Sequence, residues 1–481
     1  MSQLEFFLPA AKAALAELYV GKSIRDVPTP AAIMDVSAAK RNCANMLEAC
    51  KKLGLEWRAH VKTHKTAELT KLQVGDDVDR PVKIVVSTHV EAEFLLPVLL
   101  EYKGQGRAVN VLYGLPVAPG DILPLAAVGK ALGQGSISVL LDDPAQLSAL
   151  SGFKSKAGGT VPLAHIKVDM GGRRAGVEVE SEQFAQLAEA ALAAHREGNI
   201  ILSGLYSHAG HSYGGDSRAA AMRMMGAELG AMLTGAGRLM TIAKDAGVAL
   251  PPLTLSAGAS PTALSVQNLL SEGKANGVKD GELHAEASRL SAVFDTIRER
   301  SHVVEIHAGV YPTLDLQQLA AHSVSTSLLS WKDIAFTVLA EVHSNYTGRG
   351  EAGRPEVLIG AGIFALGRET CKAYPGMAMV TPWGRKGVEM PSVDVEQYEG
   401  WIVGRFSQEH GILTWRSVGD NASGKGQLQE PDALEVGQKV RLWPNHSCVT
   451  GAHFGWYFVV DESREGKEDE IVDIWVRARG W

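Results

Sequence analysis

The sequence predicts an α/β protein in which a (β/α)8 barrel is followed by an all-β C-terminal domain. Short β-branched runs alternate with amphipathic helical segments through the first two-thirds of the 481 residues. Such alternation is typical of βαβ units and a parallel sheet. After about residue 325, short strands follow one another between Gly, Asp and Asn turns with few helices. That second pattern indicates a small β-barrel or sandwich.

The barrel prediction depends on a count of strands. Eight strand-like runs, each followed by a helical stretch, occupy about 260 residues, which matches a closed barrel in number and length. An open doubly wound sheet is the alternative, but no Gly-x-Gly-x-x-Gly motif follows the first strand, so the best argument for a dinucleotide fold is missing. The predicted strands are Trp57–Lys62, Ile84–Ser87, Asn110–Tyr113, Ser138–Leu141, His165–Asp169, Ile201–Tyr206, Leu253–Ser256 and Val303–His307.

Three segments follow from these patterns. Residues 1–26 form an N-terminal helical segment, amphipathic over Met1–Leu18, that could pack on either domain. Residues 27–325 form the barrel and residues 326–481 the C-terminal β domain. The strands predicted in the β domain are Phe336–His343, Glu356–Gly360, Gly400–Phe406, Ile412–Arg416, Lys439–Trp443, Trp456–Val460 and Ile471–Arg477.

Composition excludes several classes of function. An apolar content of 46%, a charged content of 21% and a net charge of -7 are ordinary for a globular enzyme and give no reason to expect nucleic-acid binding. No apolar run approaches the roughly 20 residues that span a bilayer. The acidic Glu5 and Glu17 argue against a transit peptide. Because the four cysteines show no disulfide spacing, we expect a cytoplasmic protein. They are Cys43, Cys50, Cys371 and Cys448.

A cluster of cations surrounds a lysine at the end of the first barrel strand. Lys62 is flanked by His60, His64 and Lys65, and neighbouring positive charge favours the neutral amine that forms a Schiff base. Strand alternation puts Lys62 on the same face as His60 and His64, pointing inward if the strand continues. Lys65 is the competing lysine.

The loops after the last two predicted barrel strands are rich in glycine. Ser256–Thr262 follows the seventh strand, and Ala308-Gly309-Val310 follows the eighth. Loops at these places often cradle a phosphate, because glycine lets backbone N–H groups approach an anion. A strand-end lysine and a phosphate cradle together fit pyridoxal 5'-phosphate, with its aldehyde at Lys62 and its phosphate near Gly258 and Gly309.

A second constellation lies near the other end of the chain. His446 and Cys448 are two residues apart after the turn-forming Pro444-Asn445, so both side chains can project to one face. Imidazole and thiolate suit Zn²⁺, and two protein ligands leave coordination positions open for water or substrate. His410 is a further candidate, as a ligand or as a neighbour of one.

Taken together, these residues resemble the metal-dependent group of D-serine dehydratases and D-threonine aldolases, which are fold-type III pyridoxal-phosphate enzymes with an alanine racemase-like barrel. The match runs in order from about residue 27 to residue 450. The matching stretches are Thr29–Ala31 with Asp35, His60–Lys65, Asp169–Gly176, Tyr206–Tyr213, Ser256–Thr262, His307–Tyr311, Gln408–Gly411 and Pro444–Cys448.

The resemblance implies roles for the residues around the cofactor. Lys62 would be the Schiff-base lysine, Arg174 would lie near the ring oxygen, and Tyr206 would approach the pyridine nitrogen as a neutral partner. The loop residues that would hold the phosphate are Ser256, Gly258, Gly309 and Val310.

The resemblance also implies a metal and a reaction. His446 and Cys448 would hold zinc, with a substrate group completing the coordination. The aldolases of the group look more aspartate-like where Cys448 stands, so the cysteine favours a D-serine dehydratase (D-serine ammonia-lyase). Lys62 would remove the α-proton while zinc turns the β-hydroxyl into a leaving group, giving pyruvate and ammonia. The group usually forms homodimers, and the expected partner is a small D-amino acid.

Several alternatives remain open from the sequence. A D-threonine aldolase or a D-3-hydroxyaspartate dehydratase keeps the fold; for the latter, Arg349 or Arg354 could bind the second carboxylate. Racemase-like chemistry would need a second base, for which Tyr346 or Tyr457 could serve, but it would leave the metal pair without a purpose. A non-catalytic pyridoxal-phosphate carrier would be a single barrel, and a pure scaffold should bind neither cofactor nor metal.

Overall fold

The computed structural model describes residues 11–271, 281–417 and 431–480. The chain divides into two compact units. The first contains Cys43–Gly309 together with residues 478–480, and the second contains residues 11–42 and Val310–Arg477. We call them the barrel unit and the β unit.

These units do not begin and end at the boundaries expected after residues 26 and 325. The strand β1 (Ala31–Asp35) belongs to the β unit. It pairs antiparallel with β10 (Phe336–Tyr346) and parallel with β16 (Trp456–Val460). Backbone pairing with distant strands therefore removes this segment from the barrel, although it precedes the barrel in sequence.

The barrel unit is a closed ring of eight parallel strands, as predicted. Each observed strand overlaps its predicted run, and β2 closes the ring by pairing with β9. The first strand ends at His60 rather than at Lys62, so Lys62 lies in the turn after it. The strands are β2 Glu56–His60, β3 Val82–Val86, β4 Val109–Pro116, β5 Ile137–Leu141, β6 Leu163–Lys167, β7 Ile201–Tyr206, β8 Thr254–Ala257 and β9 Val303–Ala308.

Hydroxyl side chains fix where several helices around the barrel begin. Thr66, Thr88, Ser181 and Ser217 each accept a backbone N–H from the first turn of the helix that follows, which satisfies a donor that the helix itself cannot pair. The helices are α2 Val36–Leu53, α3 Ala67–Val74, α4 His89–Gly104, α5 Ile122–Leu132, α6 Ala145–Leu150, α7 Phe153–Lys156, α8 Glu182–Arg196, α9 Arg218–Asp245, α10 Ser260–Ser265, α11 Asn268–Ser271 and α12 Gly281–Glu299.

None of the helices in the described ranges combines the length and the apolar character needed to cross a membrane.

The β unit is built on one nine-stranded sheet with the order β11-β14-β13-β12-β15-β10-β1-β16-β17. An additional β10–β11 pairing closes six of these strands into a ring. All seven strands predicted here are confirmed, and β1 and β12 are additional. The remaining elements are β11 Glu356–Ile359, β12 Ala378–Val380, β13 Gly400–Phe406, β14 Gly411–Arg416, β15 Lys439–Pro444, β17 Asp473–Val476, α13 Leu316–Ala320, α14 Ile363–Leu366 and α15 Ser447–Ala452.

The N-terminal helix α1 (Lys12–Tyr19) packs within the β unit. Its Tyr19 ring meets the Phe458 ring edge to face at a centroid distance of 5.0 Å, and Lys12 Nζ lies 3.1 Å from Asp473 Oδ1. The sequence predicted a helix over Met1–Leu18; its first ten residues lie outside the described ranges. The loop predicted at Asp420–Pro431 also lies outside them up to residue 430.

Candidate active site

Lys62 occupies a tight turn at the end of β2. The Lys65 N–H donates to the Val61 carbonyl at 2.8 Å, which closes this turn. The Lys62 side chain is partly exposed, and it forms no ion pair with any residue in the described ranges. His64 does not share its face. It is fully buried, with ring nitrogens 3.0 Å from Thr66 Oγ1 and 2.8 Å from Gln73 Oε1.

The competing lysine is held by a buried acid. Lys65 Nζ lies 3.0 Å from Glu91 Oε1, and Glu91 has no exposed surface. The other oxygen of Glu91 accepts the Ser87 N–H at 2.7 Å. Because Lys65 balances this buried charge, it is engaged structurally, and Lys62 stays the predicted Schiff-base lysine.

Three imidazoles near Lys62 are kept neutral. Burial lowers the pKa of His60 well below its usual value, and the Lys62 charge lowers it further. Desolvation and the Arg174 charge do the same to the pKa of His208, whose Nδ1 lies 2.6 Å from the Gly258 carbonyl oxygen. Burial lowers the pKa of His307 to about 3, with Glu305 opposing the shift. These rings can therefore accept or donate hydrogen bonds without adding positive charge.

Tyr206 is a buried phenol that stays neutral. Burial raises its pKa, because the phenolate would lose its hydration. Its ring stacks on the His307 ring with centroids 4.2 Å apart and planes inclined by 7°. Arg174, in the loop after β6, is exposed. Its charge lowers the pKa values of His208 and Lys167, so it contributes to the electrostatics of this cluster.

The two glycines expected to hold a phosphate lie where the backbone is crowded. Gly258 has φ +150°, and a Cβ there would lie 2.1 Å from the His307 carbonyl oxygen. A Cβ on Gly309 would lie 3.1 Å from the His60 carbonyl oxygen. Glycine is therefore required at both positions by the close approach of neighbouring protein atoms at the ends of β8 and β9, and the role of the two residues toward a phosphate stays a prediction. Val310 is buried, and its carbonyl accepts the Thr313 hydroxyl at 2.9 Å.

Ser256 has different contacts from those expected of a phosphate ligand. Its side chain is fully buried, Oγ lies 2.8 Å from Glu305 Oε1, and the same Oγ lies 3.0 Å from His307 Nδ1. The hydroxyl thus links a carboxylate in the barrel interior to the imidazole stacked on Tyr206. Its role toward a phosphate stays a prediction.

A charged network inside the barrel was missed from the sequence. Arg58 Nε lies 2.7 Å from Glu305 Oε1, Lys83 Nζ lies 3.0 Å from Glu305 Oε2, and Arg58 Nη1 donates to Asn110 Oδ1 at 2.7 Å. Burial would raise the pKa of Glu305, but Arg58 and Lys83 hold it well below its usual value. Charged residues inside otherwise apolar strands were the signal that could have found it.

A second missed pair is Lys167 on β6 and Glu228 on α9. Burial lowers the pKa of Lys167 to about 8, and its Nζ lies 4.9 Å from the Tyr206 ring centroid. Burial raises the pKa of Glu228 to about 7, with Lys167, the Ser207 side chain and the backbone of Gly258 acting in the opposite direction. Both side chains are buried, and each interrupts an apolar run of the sequence.

The β unit brings the two predicted metal ligands together. His446 immediately precedes α15, and Cys448 lies in the first turn of that helix. The Ser447 N–H between them donates to the buried Asp315 carboxylate at 2.8 Å, and Glu369 Oε2 lies 3.6 Å from His446 Nδ1. Burial alone would lower the pKa of His446, but Cys448, Asp315 and Glu369 outweigh it and raise the pKa to about 9.

This donor set fits an open zinc site. Imidazole and thiolate are zinc ligands, and the nearby carboxylates favour a cation. Across the described ranges, no group of three or more His, Cys, Asp and Glu side chains forms a metal site. Two protein ligands would leave coordination positions for other groups.

Other residues that the sequence singled out have structural partners. Arg349 Nε lies 2.6 Å from the buried Glu356, and its guanidinium covers the Tyr346 ring at 3.4 Å. Arg354 donates to Ser417 Oγ at 2.7 Å. His410 is exposed, and its carbonyl accepts the Ser407 N–H in the turn between β13 and β14. Tyr457 is buried.

Two family models match the chain. The alanine racemase N-terminal domain matches residues 34–275, and the D-ser_dehydrat model of a serine dehydratase domain matches residues 335–460. A D-serine dehydratase from Schizosaccharomyces pombe is 37% identical over 99% of this chain and 97% of its own length. This chain belongs to the D-serine dehydratase family. Members of this family are lyases, and the alanine racemase-like barrel and the C-terminal β domain confirm the predicted fold.

Two further proteins are similar over nearly the whole chain. A D-serine dehydratase from Saccharomyces cerevisiae is 31% identical, over 96% of this chain and 98% of its own length. Among solved structures, a cysteine-to-alanine mutant of D-threo-3-hydroxyaspartate dehydratase in the metal-free form is 25% identical. It covers 96% of this chain and 100% of its own, with a TM-score of 0.67.

Proposed function

We propose that this lyase is a pyridoxal-phosphate- and zinc-dependent D-serine dehydratase that converts D-serine into pyruvate and ammonia. The observation that carries the proposal is the difference in ion pairing between two neighbouring lysines. Lys65 is tied to buried Glu91, and Lys62 has no acid partner in the described ranges. The two D-serine dehydratases of yeasts to which the chain is similar support the substrate.

The residues around Lys62 fit a pyridoxal-class cofactor. Pyridoxal phosphate, when bound, supplies the electron sink that acidifies the α-hydrogen of an amino acid. Lys62 would hold it covalently, and its freed amine would then accept the α-proton. The neutral Tyr206 and the neutral imidazoles of His60, His208 and His307 add no positive charge of their own. Arg174, Gly258, Gly309 and Val310 keep the binding roles that the sequence predicted, as part of this proposal.

Within the β unit, His446 and Cys448 would hold zinc. A Lewis acid makes a β-hydroxyl a better leaving group, and hydroxide leaves poorly near neutral pH without one. Asp315 holds the turn that carries both ligands, because its carboxylate accepts the Ser447 N–H.

The nearest rival is a D-3-hydroxyaspartate dehydratase, which is what the related solved structure is named. Its substrate has a second carboxylate and calls for an additional cation. The two arginines that the sequence offered are engaged, Arg349 with Glu356 and Arg354 with Ser417. This favours D-serine. A D-threonine aldolase is disfavoured by the resemblance at Cys448.

The decisive experiment measures products from three substrates. Purified protein would receive D-serine, D-threonine or D-threo-3-hydroxyaspartate, before and after treatment with a metal chelator. Pyruvate from D-serine that disappears on chelation and returns with zinc is the expected result. Glycine and acetaldehyde from D-threonine without pyruvate from D-serine would indicate an aldolase. Oxaloacetate as the dominant product would identify the hydroxyaspartate substrate.

We also propose a homodimer, as the family resemblance implies. Light scattering of the purified chain during size-exclusion chromatography would give twice the 51.3 kDa mass of the chain. A mass that stays at that of one chain over a range of concentrations would contradict it.

A further inference from the structure

We propose that His64 is a positioning residue, which together with Gln73 holds the turn that carries Lys62 and so sets the direction of its amine. The sequence singled out His64 only as a cation beside Lys62, and the family resemblance assigned it no role. This inference rests on the proposed function, because it gives His64 a task on behalf of the Schiff-base lysine.

Lys62 lies beyond the strand that leads to it. β2 ends at His60, and after it the Val61 N–H donates to the Val85 carbonyl of the neighbouring strand at 3.1 Å. The Lys62 side chain is partly exposed and forms no ion pair within the described ranges. Its four-carbon stem is flexible, so the position of the amine depends on what holds the turn around it.

His64 follows Lys62 by two residues, and its ring is fully buried. Nδ1 of this ring accepts the Thr66 N–H at 3.1 Å. A ring nitrogen that accepts a hydrogen bond carries no proton, so the proton of the imidazole is on the other nitrogen. Nε2 is therefore a donor, and it lies 2.8 Å from Gln73 Oε1. The ring thus bonds the turn through one nitrogen and helix α3 through the other.

The side chain of Gln73 holds the chain on both sides of Lys62. Because its carbonyl oxygen accepts from His64, its amide nitrogen is left to donate, and this nitrogen lies 3.5 Å from the backbone carbonyl oxygen of His60. His60 precedes Lys62 by two residues, and His64 follows it by two. In addition, the Trp57 indole N–H donates to the Gln73 backbone carbonyl at 3.0 Å, which ties the end of α3 to β2.

Burial makes these contacts persist together. His64, Thr66 and Gln73 have no exposed surface, and a buried polar group that loses its partner is costly because water cannot replace that partner. The set therefore fixes the path of the backbone at Lys62, from which the amine extends. An amine held in place forms a bond to a carbonyl carbon with a smaller loss of entropy than a mobile one.

The binding and the rigidity of the cofactor test this inference. Full-length protein freed of cofactor would be titrated with pyridoxal phosphate, and the visible absorbance and circular dichroism of the bound cofactor would be recorded. Gln73→Met removes both bonds at nearly the same side-chain volume. His64→Asn keeps an acceptor for the Thr66 N–H, as in an Asx turn, but is too short to reach Gln73. Each should raise the dissociation constant about tenfold and lower the dichroism per bound cofactor severalfold.

A double variant and a matched control separate positioning from stability. If His64 acts through Gln73, the double variant should lose no more affinity than Gln73→Met alone. Leu192→Ala opens a cavity beneath α8, which packs on α9 and β7. Urea unfolding would establish that its loss of stability is comparable, yet it should keep the dissociation constant and the dichroism of the wild type. Should one of the two test variants fail to fold, the other decides.

The outcomes separate the two proposals. Binding and dichroism in Gln73→Met and His64→Asn that match those of Leu192→Ala would overturn the role of His64, as would losses that add up in the double variant. Either result leaves the proposed function intact. Failure of the wild type to bind pyridoxal phosphate would overturn the proposed function, and this inference with it.

Discussion

Lys65 and Glu91 form an ion pair, 3.0 Å between Nζ and Oε1, in which the acid is fully buried and the lysine is 17% exposed. Three residues earlier, Lys62 forms no ion pair with any residue in the part of the chain that the structure describes. Under the proposed function, Lys65 stabilises the barrel and Lys62 takes part in the chemistry.

Substitution of Lys65 should lower stability, whereas substitution of Lys62 should prevent cofactor binding. Lys65→Met leaves the Glu91 charge buried and uncompensated, so we expect a loss of about 3 kcal/mol in the free energy of unfolding. Lys62→Met should keep that free energy but lose the visible absorbance of bound pyridoxal phosphate. Urea unfolding and absorbance spectra of the two variants check both. Lys62→Met protein that still carries the chromophore would contradict the assignment.

The pH dependence of stability should reveal the raised pKa of Glu228. Its pKa in the folded protein, about 7, is raised above the usual value for a glutamate, so the folded state retains a proton that the unfolded state loses. The resulting stabilisation is complete below the unfolded pKa and disappears as the pH rises through about 7. Between pH 4 and pH 8, Glu228→Gln should therefore gain stability relative to the wild type, by up to about 3 kcal/mol.

Urea titrations of Glu228→Gln at several pH values measure this difference. Glu189→Gln, at an exposed position on α8, is the matched control and should run parallel to the wild type. A constant difference between Glu228→Gln and the wild type over this pH range would show that the pKa of Glu228 does not change on folding.

Metal content should depend on the turn before α15. Cys448→Ala and His446→Ala should lose zinc and keep pyridoxal phosphate. Asp315→Asn, which weakens the acceptor of the Ser447 N–H, should bind zinc about tenfold more weakly. Elemental analysis after dialysis against graded chelator measures this. Cys371→Ala is the control, because that thiol lies against the Leu316 carbonyl instead. Full zinc content in Cys448→Ala would refute the site.

Gly258 should tolerate no side chain. A Cβ would lie 2.1 Å from the His307 carbonyl oxygen, and backbone cannot move aside as a flexible side chain can. Gly258→Ala should cost about 2 kcal/mol or more in the free energy of unfolding. Gly226→Ala, in α9 with nothing within 4 Å of the added carbon, should instead be neutral or slightly stabilising. Equal effects in thermal unfolding would contradict the steric argument.

Much of the fold could be predicted from the local pattern of apolar and β-branched residues in the sequence. All eight barrel strands follow from β-branched runs between helical segments, because strands buried in a parallel sheet need continuous apolar character. The strands β1 and β12 were missed for different reasons. Ala31–Asp35 contains few β-branched residues, and Ala378–Val380 is three residues long, too short to show a period.

The candidate site could be predicted only where chemistry depends on residue type and order. Lys62, His446 and Cys448 could be proposed because few side chains perform such roles, and these roles stay predictions. The polar partners of Ser256, the pairing of Arg58 with Glu305 and the proximity of Lys167 to Tyr206 could not be chosen. These contacts depend on which strands become neighbours and on their register, and neither is set by local sequence.

The place of β1 in the sheet has a consequence for how the protein is made. Its partners, Leu339 on β10 and Phe458 on β16, leave the ribosome after the whole barrel has been synthesised. At ordinary elongation rates this takes on the order of tens of seconds. Until then, β1 lacks both of the strands with which it pairs in the folded protein. Its place in the sheet can therefore be taken only after both of those strands have been made.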